Sequence, residues 1–421
     1  MVFLQTYSVG TRLIIESKNR LGATALANQK MEIIRSINYD AIGTTSGVPA
    51  GDLAENETIS VNTVKYEVHT FVQYVDDSFD ATVSTGDAIP TDYKRVRLTV
   101  SWGNLGSDQS VILFGNFSPN GVEVSSGGGV LSINILDGNG SGVSGASVHI
   151  VNGAAGVDTT GSTDSTGNLT LPGTPVGIEA YVLTVSKNGY YGATTYPAYP
   201  TTAYEPVDVH ASVAADVLNQ KTMVMDQSSD MTLTTKDPFG TAVPAIGYTL
   251  KGGRLLGTDP VTFEDTFGFS QSGTTDGSGV ASYADESAGQ YVVTISGANY
   301  EFYKMSPEGV IANEFSALAG VATDMTAVLL DKNIGSVKVK VQNQADLTAL
   351  SGASVHMTNA VLLYDATVVT DQYGYAYFPT ALPALVAGTY DITVSLSGYT
   401  DETDTATVGT ALVTKTIQMS P

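Results

Sequence analysis

The first forty residues carry apolar positions at helical spacing, whereas the rest of the chain alternates as strands do. On a helix with about 100° per residue, one contiguous arc collects Phe3, Leu4, Tyr7, Ile14, Ile15, Leu21, Ala25, Leu26, Ile33 and Ile37. Leu13, Met31 and Ile34 fall off that arc. Because a helix that only covers its own sheet needs one stripe, these residues indicate a second partner, such as a neighbouring copy of the helix. The alternative is a wide core stripe with a few exposed apolar side chains.

We therefore predict a helix over residues 1–40 whose second half packs on the chain's own sheet and whose first half contacts other subunits. Gly10 and Gly22 weaken such a helix by about 1 kcal/mol each relative to alanine. The residues predicted to mediate assembly are Leu4, Tyr7, Leu13, Ile14, Leu21, Met31 and Ile34.

Three predicted strands follow the helix. Val64–Tyr74 and Tyr93–Trp102 alternate between apolar and polar residues, and Ser110–Phe117 is the third strand. Three successive strands favour an antiparallel meander, and its apolar face needs a cover that the helix can supply. Residues 1–122 are therefore predicted to form an α+β head.

After a predicted flexible linker at Ser125–Gly129, the chain repeats one unit three times. The first and last repeats share Ser-Gly-Ala-Ser-Val-His at 144–149 and 351–356, and all three share a Thr-Asp-x-x-Gly turn at 163–167, 275–279 and 370–374. In this turn, the Asp side chain can bond its own backbone while Gly takes a positive φ. The predicted domains are residues 123–225, 226–332 and 333–421 (the first, middle and last repeats), and about 100 residues is the length of a two-sheet sandwich.

These repeats resemble carboxypeptidase regulatory-like, or transthyretin-like, members of the immunoglobulin-like β-sandwiches. The closing strands support the resemblance, for example Gly289-Gln-Tyr-Val-Val-Thr-Ile-Ser296 and Gly388-Thr-Tyr-Asp-Ile-Thr-Val-Ser395. The resemblance implies stalk or adhesion modules on a bacterial surface. The middle repeat departs most, because Pro244-Ala-Ile-Gly-Tyr-Thr-Leu250 replaces the shared strand.

The head resembles minor type IV pilins and type II secretion pseudopilins over about residues 1–120. The resemblance rests on Ala25-Leu-Ala-Asn-Gln-Lys-Met-Glu-Ile-Ile-Arg-Ser-Ile-Asn-Tyr39 and on Tyr93-Lys-Arg-Val-Arg-Leu-Thr-Val-Ser-Trp102. It implies a helix that assembles into a filament core with other pilin subunits. The prepilin cleavage site, the following glutamate and a membrane-spanning run of roughly 20 apolar residues are missing from the sequence. Membrane attachment is therefore expected only through an N-terminal segment absent from this chain.

Composition narrows the function classes. The net charge is −23, from 42 acidic and 19 basic residues, so nucleic acid is excluded as a partner by repulsion. The helix is the one mildly basic segment, with five basic residues (Arg12, Lys18, Arg20, Lys30, Arg35) against three acids. The absence of cysteine rules out disulfides, thiolate nucleophiles and Cys-bound metals.

No catalytic, cofactor-binding or metal-binding residue is predicted. The four histidines do not stand at metal-binding spacing, and His149 and His356 occupy the same position in two repeats, which favours a packing or surface role. Asp137-Gly-Asn-Gly-Ser-Gly142 alternates oxygen ligands as a calcium loop does, but it lacks the closing glutamate, and a hairpin turn is the preferred interpretation. Lys338 and Lys340 are predicted to be solvent-exposed.

The segment 190–206 is unusual because five tyrosines lie among three prolines. The tyrosines are Tyr190, Tyr191, Tyr196, Tyr199 and Tyr204. Tyrosine offers an apolar ring and a hydroxyl, which suits contact with a glycan or protein on a surface. Packing against the next domain is the alternative explanation.

Together these patterns predict a mainly β, non-enzymatic, extracellular structural protein. We expect a filament subunit of the type IV pilus or pseudopilus kind, with the helix for assembly and the repeats projecting outward. The alternative is a surface adhesin that binds a glycan or protein and has no filament-core role.

Overall fold

The computed structural model describes residues 2–77, 90–103, 109–119 and 127–421, with side chains described from residue 13 onward in these ranges. The chain is mainly β, as predicted. It forms two compact units: Met1–Gln227 with Leu256–Thr266 (the N-terminal unit), and Ser228–Leu255 with Phe267–Pro421 (the C-terminal unit). The predicted domain boundaries stay predictions. So do the immunoglobulin-like and pilin-like assignments.

The described residues of the head form one helix, a 3-10 helix and four strands. Their bounds are α1 Val2–Ser36, the 3-10 helix Tyr39–Ala41, β1 Asn56–Val61, β2 Val64–Val75, β3 Tyr93–Trp102 and β4 Ser110–Phe117. The strands form one antiparallel sheet in the order β1-β2-β3-β4. The three strands predicted from the sequence are confirmed, and β1 is an additional edge strand.

The second half of α1 packs on this sheet, as predicted, but through a different stripe. Its buried residues are Ala23, Leu26, Ala27, Met31 and Ile34, which lie against Val68, Val72, Val96, Leu98 and Val100. Ala25 and Ile33 were predicted to lie on the buried stripe, but both are exposed. Met31 and Ile34 were predicted to lie outside that stripe, but both are in the core. A single arc fitted to the largest side chains missed Ala23 and Ala27, which bring the helix close to the strands.

Gly22 faces the ring of Tyr66 on β2. A Cβ at Gly22 would lie 2.3 Å from the Tyr66 hydroxyl oxygen, and this hydroxyl donates to the carbonyl of Asn19 at 3.0 Å. Tyr66 is almost completely buried, so its ring has little room to move. The glycine that weakens the isolated helix is therefore required where the helix meets the sheet.

We predict that Gly22→Ala destabilises the protein, although the same change stabilises an ordinary helix interior by about 1 kcal/mol. The clash with Tyr66 should cost about 1–3 kcal/mol. Thermal unfolding of Gly22→Ala, Tyr66→Phe and the double variant tests this prediction. Because Tyr66→Phe removes the hydroxyl that the new Cβ meets, Gly22→Ala should destabilise the Tyr66→Phe protein less than it destabilises the unmodified protein. Equal destabilisation in both proteins contradicts the prediction.

The head and the first repeat share one core. Val48 and Phe71 of the head belong to the same buried cluster as Leu131, Ile133 and Leu171 of the repeat. Glu55 also accepts a hydrogen bond from the backbone N–H of Thr160 at 2.8 Å. The predicted linker at 125–129 lies partly outside the described residues, and these contacts join the two parts independently of it.

The described residues of the first repeat form nine strands. They are β5 Gly129–Leu136, β6 Ser147–Asn152, β7 Val157–Ser162, β8 Asn168–Thr174, β9 Gly177–Ser186, β10 Ala193–Thr194, β11 Glu205–Pro206, β12 Ala211–Val213 and β13 Leu218–Val224. One sheet has the order β13-β5-β8, and another has the order β10-β9-β6-β7 with β12 paired to β9. β11 pairs instead with Gly257 and Thr258.

The strands of the middle and last repeats lie in the C-terminal unit, except for the ends of two strands of the middle repeat. The middle strands are β14 Ser229–Lys236, β15 Gly247–Thr258, β16 Asp265–Thr274, β17 Val280–Glu286, β18 Gly289–Ser296, β19 Tyr300–Ser306, β20 Glu314–Ala317 and β21 Thr323–Asp331. The last strands are β22 Ser336–Asn343, β23 Ser354–Asn359, β24 Tyr364–Val369, β25 Tyr375–Phe378, β26 Gly388–Ser395, β27 Glu402–Val408 and β28 Leu412–Met419. The exceptions are the end of β15 and the start of β16, which belong to the N-terminal unit. The sheet orders are β17-β14-β21-β19, β15-β18-β20 with β16 paired to β15, β25-β22-β28 and β24-β23-β26-β27.

All three repeats use the same strand pairing and the same turn. The first strand of each pairs in parallel with its last, as β5 with β13, β14 with β21 and β22 with β28. In the shared turn, the carboxylate of Asp164, Asp276 or Asp371 accepts two backbone N–H groups of its own loop. The following glycine has a φ between +75° and +80° in each case. The predicted turn mechanism is confirmed, including in the middle repeat.

The prediction that Lys338 is solvent-exposed is wrong. Lys338 is only 8% exposed, and its ammonium group forms an ion pair with Glu301 of β19. The ammonium also lies 5.1 Å from the centre of the Tyr375 ring. Alternation along β22 does not reveal this burial, because the cover comes from the middle repeat.

Candidate functional site

The candidate site is the surface of α1 that the head does not cover. Leu13, Ile14, Ile15 and Leu21 are 59%, 70%, 59% and 73% exposed. These four side chains come from slightly more than two turns of one helix, so apolar surface covers much of that segment. Of the other predicted assembly residues, Met31 and Ile34 are buried against the chain's own sheet. The side chains of Leu4 and Tyr7 lie outside the described residues.

A cleft of about 310 Å³ opens beside this part of α1, at the ends of β3 and β4. Its walls include Leu13, Glu16 and Arg20 of the helix and Trp102 and Gln109 of the sheet. The Gln109 side-chain amide donates to Glu16 at 2.7 Å and ties the helix to the start of β4. The ring of Trp102 packs edge-on against Tyr66, with centroids 6.4 Å apart.

Trp102 and Arg20 differ in what they offer to a ligand in the cleft. Trp102 is 6% exposed, and its Nε1 atom is buried without a hydrogen-bond partner among the described residues, so this atom is not accessible from the cleft. Arg20 is exposed and forms no ion pair with any described residue. Its guanidinium group suits an anionic oxygen such as a carboxylate.

The tyrosine-rich segment 190–206 is mostly used for packing. Tyr190 packs against the core of the first repeat, with the ammonium group of Lys187 4.4 Å from its ring centre. Tyr196 and Tyr204 meet edge-on with centroids 6.1 Å apart. Tyr191 is half-buried, and Tyr199 is 46% exposed. The predicted glycan or protein contact stays a prediction, and Tyr199 is the ring most available for it.

The C-terminal part of this segment is fixed by strand pairing. Glu205 and Pro206 pair with Thr258 and Gly257, and a Cβ at Gly257 would lie 2.5 Å from the Tyr204 ring. Burial raises the pKa of the Tyr204 hydroxyl. The strand pairing and the Tyr204 ring therefore hold this part of the segment against residues 256–258. This agrees with the packing interpretation for Tyr204.

The sequence analysis missed an exposed apolar hairpin tip at residues 259–264 (the acidic tip). Val261 and Phe263 are 75% and 79% exposed there. The Asp259 carboxylate accepts the backbone N–H groups of Val261 and Thr262 at 2.7 and 2.9 Å and so shapes the turn. Asp259-Pro-Val-Thr-Phe-Glu-Asp265 carries the available signal, a turn-forming Asp-Pro with apolar residues between acids.

The histidines and acidic loops show structural contacts. His149 lies 2.7 Å from Asp158, and His356 lies 2.8 Å from Asp365, at equivalent positions on the surface of two repeats. The Asp137 carboxylate accepts the backbone N–H groups of Asn139 and Ser141, as a hairpin turn requires. No described residues form a cluster of three or more ligands that could hold a metal ion.

No helix in the described ranges is long and apolar enough to span a membrane. No protein-family model and no curated protein matches the chain. Three similar solved structures are the TIE protein of Bacillus anthracis, a streptococcal ancillary pilin and BcpA, the major pilin subunit of Bacillus cereus.

The TIE protein is 15% identical, with a TM-score of 0.21, and the match covers 87% of this chain and 61% of that one. The ancillary pilin is 11% identical, with a TM-score of 0.20, and the match covers 70% of this chain and 98% of the pilin. BcpA is 10% identical, with a TM-score of 0.18, and the match covers 70% of this chain and 99% of BcpA. Likenesses at these scores carry no argument about fold or function, and the type IV pilin resemblance stays a prediction.

Proposed function

We propose that this protein is a non-enzymatic structural subunit of an extracellular filament of the type IV pilus or pseudopilus kind. The helix α1 provides the assembly contact, and the three repeats act as outward stalk or adhesion modules. The observation that carries the proposal is the division of α1 into a segment packed on the sheet, residues 23–34, and a segment before it with exposed Leu13, Ile14, Ile15 and Leu21. Burial of one such side chain contributes about 1.5–3 kcal/mol, so a contact over this surface can hold subunits together.

The proposal predicts that the full chain self-associates and that paired charges on α1 disrupt the association. Ile14→Arg with Leu21→Arg should weaken self-association at least about tenfold, because each loss of 1.4 kcal/mol is a factor of ten. Sedimentation velocity over a range of concentrations, with electron microscopy of the assemblies, measures this effect.

A matched control separates the surface from the added charge. Ile178→Arg with Val361→Arg adds the same two charges at exposed apolar residues on two of the repeats, and it should associate as the unmodified chain does. A chain that stays monomeric at all concentrations, or equal effects of the two double variants, contradicts the proposed assembly role.

The second candidate is an adhesin that binds a surface glycan or protein without a filament-core role. The exposed ring of Tyr199 in the tyrosine-rich segment supports it. An adhesin of this kind predicts a monomeric chain, so the sedimentation experiment also distinguishes the two candidates.

A further inference from the structure

The cleft beside α1 has the chemistry of a site for an acidic segment. Its accessible donor is the guanidinium group of Arg20, which is exposed and forms no ion pair with any described residue. Glu16 does not neutralise Arg20 through an ion pair, and its side chain accepts a hydrogen bond from Gln109. Leu13 adds an apolar wall.

The acidic tip at 259–264 offers a complementary group. Phe263 projects into solvent next to Glu264, which is also exposed. The neighbouring acids are engaged, since Asp259 accepts two backbone N–H groups and Asp265 accepts the hydroxyl of Thr258. Glu264 forms no ion pair with a described residue. The tip therefore presents an exposed aromatic ring and, at the next residue, an exposed carboxylate.

Charge balance restricts which surfaces of two copies can meet. Each copy carries a net charge of −23, so most surfaces of two copies repel one another. The helix is the one mildly basic segment, and residues 256–266 contain three acids and no basic residue. A contact between α1 of one copy and the acidic tip of another joins unlike charges, and both surfaces have exposed apolar side chains to bury.

We propose that the cleft beside α1 binds the acidic tip of a second copy of this chain, with the Glu264 carboxylate accepting hydrogen bonds from Arg20. This inference rests on the proposed assembly role of α1 and names its partner surface. The two surfaces differ, so the contact is head-to-tail. Repetition of a head-to-tail contact without ring closure produces an open filament.

A charge-reversal cycle in the full chain tests the pairing. Arg20→Glu and Glu264→Arg should each weaken self-association about tenfold or more, because each places like charges in the contact. The double variant restores the attraction with reversed signs and should associate nearly as the unmodified chain does. Asp401→Arg, the same charge change at an exposed loop acid, is the control and should have little effect.

A cross-linking experiment tests proximity, because the chain has no cysteine of its own. A mixture of Ser17→Cys and Thr262→Cys chains should give a covalent heterodimer with a short bis-maleimide. Ser17→Cys mixed with Val361→Cys should give none, although Val361 also lies at an exposed apolar turn.

The outcomes separate this inference from the proposed function. If Ile14→Arg with Leu21→Arg abolishes association but the double charge reversal rescues nothing, the helix assembles and the acidic tip is not its partner. Loss of association in Arg20→Glu alone, with Glu264→Arg unaffected, also overturns the acidic tip as the occupant. If the unmodified chain does not associate, the proposed function fails first and this inference fails with it.

Discussion

Replacement of Gly374 with alanine is expected to lower the free energy of unfolding of the last repeat by about 2–5 kcal/mol, the sum of two contributions. Gly374 closes the shared turn with a φ of +76°, which costs an alanine about 1–2 kcal/mol. The new Cβ would also lie 2.5 Å from the carbonyl oxygen of Val341. This neighbour is backbone in the first strand of the repeat, so relief requires a shift of the strand, at about 1–3 kcal/mol more.

Gly352 provides the matched control in the same repeat. Its φ is +80°, but a Cβ there meets nothing within 4 Å. Gly352→Ala should therefore cost only the backbone part, about 1–2 kcal/mol. Urea unfolding followed by amide hydrogen exchange of the last repeat compares the two variants. Equal losses for Gly352→Ala and Gly374→Ala would show that the close approach to Val341 does not matter.

The repeated turn was predictable because its physics is local. An Asp side chain and a positive-φ glycine three residues later define the loop without reference to the rest of the chain, so Asp164, Asp276 and Asp371 could be assigned from spacing alone. The strands β2, β3 and β4 were predictable for a similar reason. One buried face imposes a period of two on each of them.

The choice of helix face and the contacts between repeats depend on distant partners. Met31 is buried because Gly115 of β4 leaves space for its sulfur, which would lie 2.6 Å from a Cβ at that position. Lys338 is buried by Glu301 from another repeat. The periodicity of α1 does not show that Met31 is buried, and the periodicity of β22 does not show that Lys338 is buried. The sequence therefore indicated that these two elements form but not which of their side chains are buried.

The candidate site was predictable only in part. Exposed Leu13, Ile14 and Leu21 follow from the excess of apolar residues in α1. The cleft required the structure, because Leu13, Arg20 and Trp102 line it together only when the helix lies against the sheet. The acidic tip lies on a hairpin of the middle repeat, where the sequence match was weakest.

Replacement of Tyr390 with alanine is expected to cost the last repeat about 3–5 kcal/mol, the usual range for removing a large buried ring. Tyr390 is almost fully buried, packs edge-on against Tyr364 with centroids 5.4 Å apart, and donates its hydroxyl to the carbonyl of Val386 at 2.8 Å. Tyr181 and Tyr291 occupy the same place in the other repeats and also donate to upstream carbonyls, those of Pro175 and Ser287.

Two phenylalanine variants separate the hydroxyl from the ring. Tyr390→Phe should cost about 1–3 kcal/mol, because it leaves the Val386 carbonyl without this donor. Tyr364→Phe should be neutral or stabilising, since the Tyr364 hydroxyl is buried without a partner among the described residues, and burial raises its pKa to about 12. Thermal unfolding of the two variants measures the difference. A Tyr364→Phe loss as large as that of Tyr390→Phe would contradict the role of the Val386 hydrogen bond in holding the closing strand.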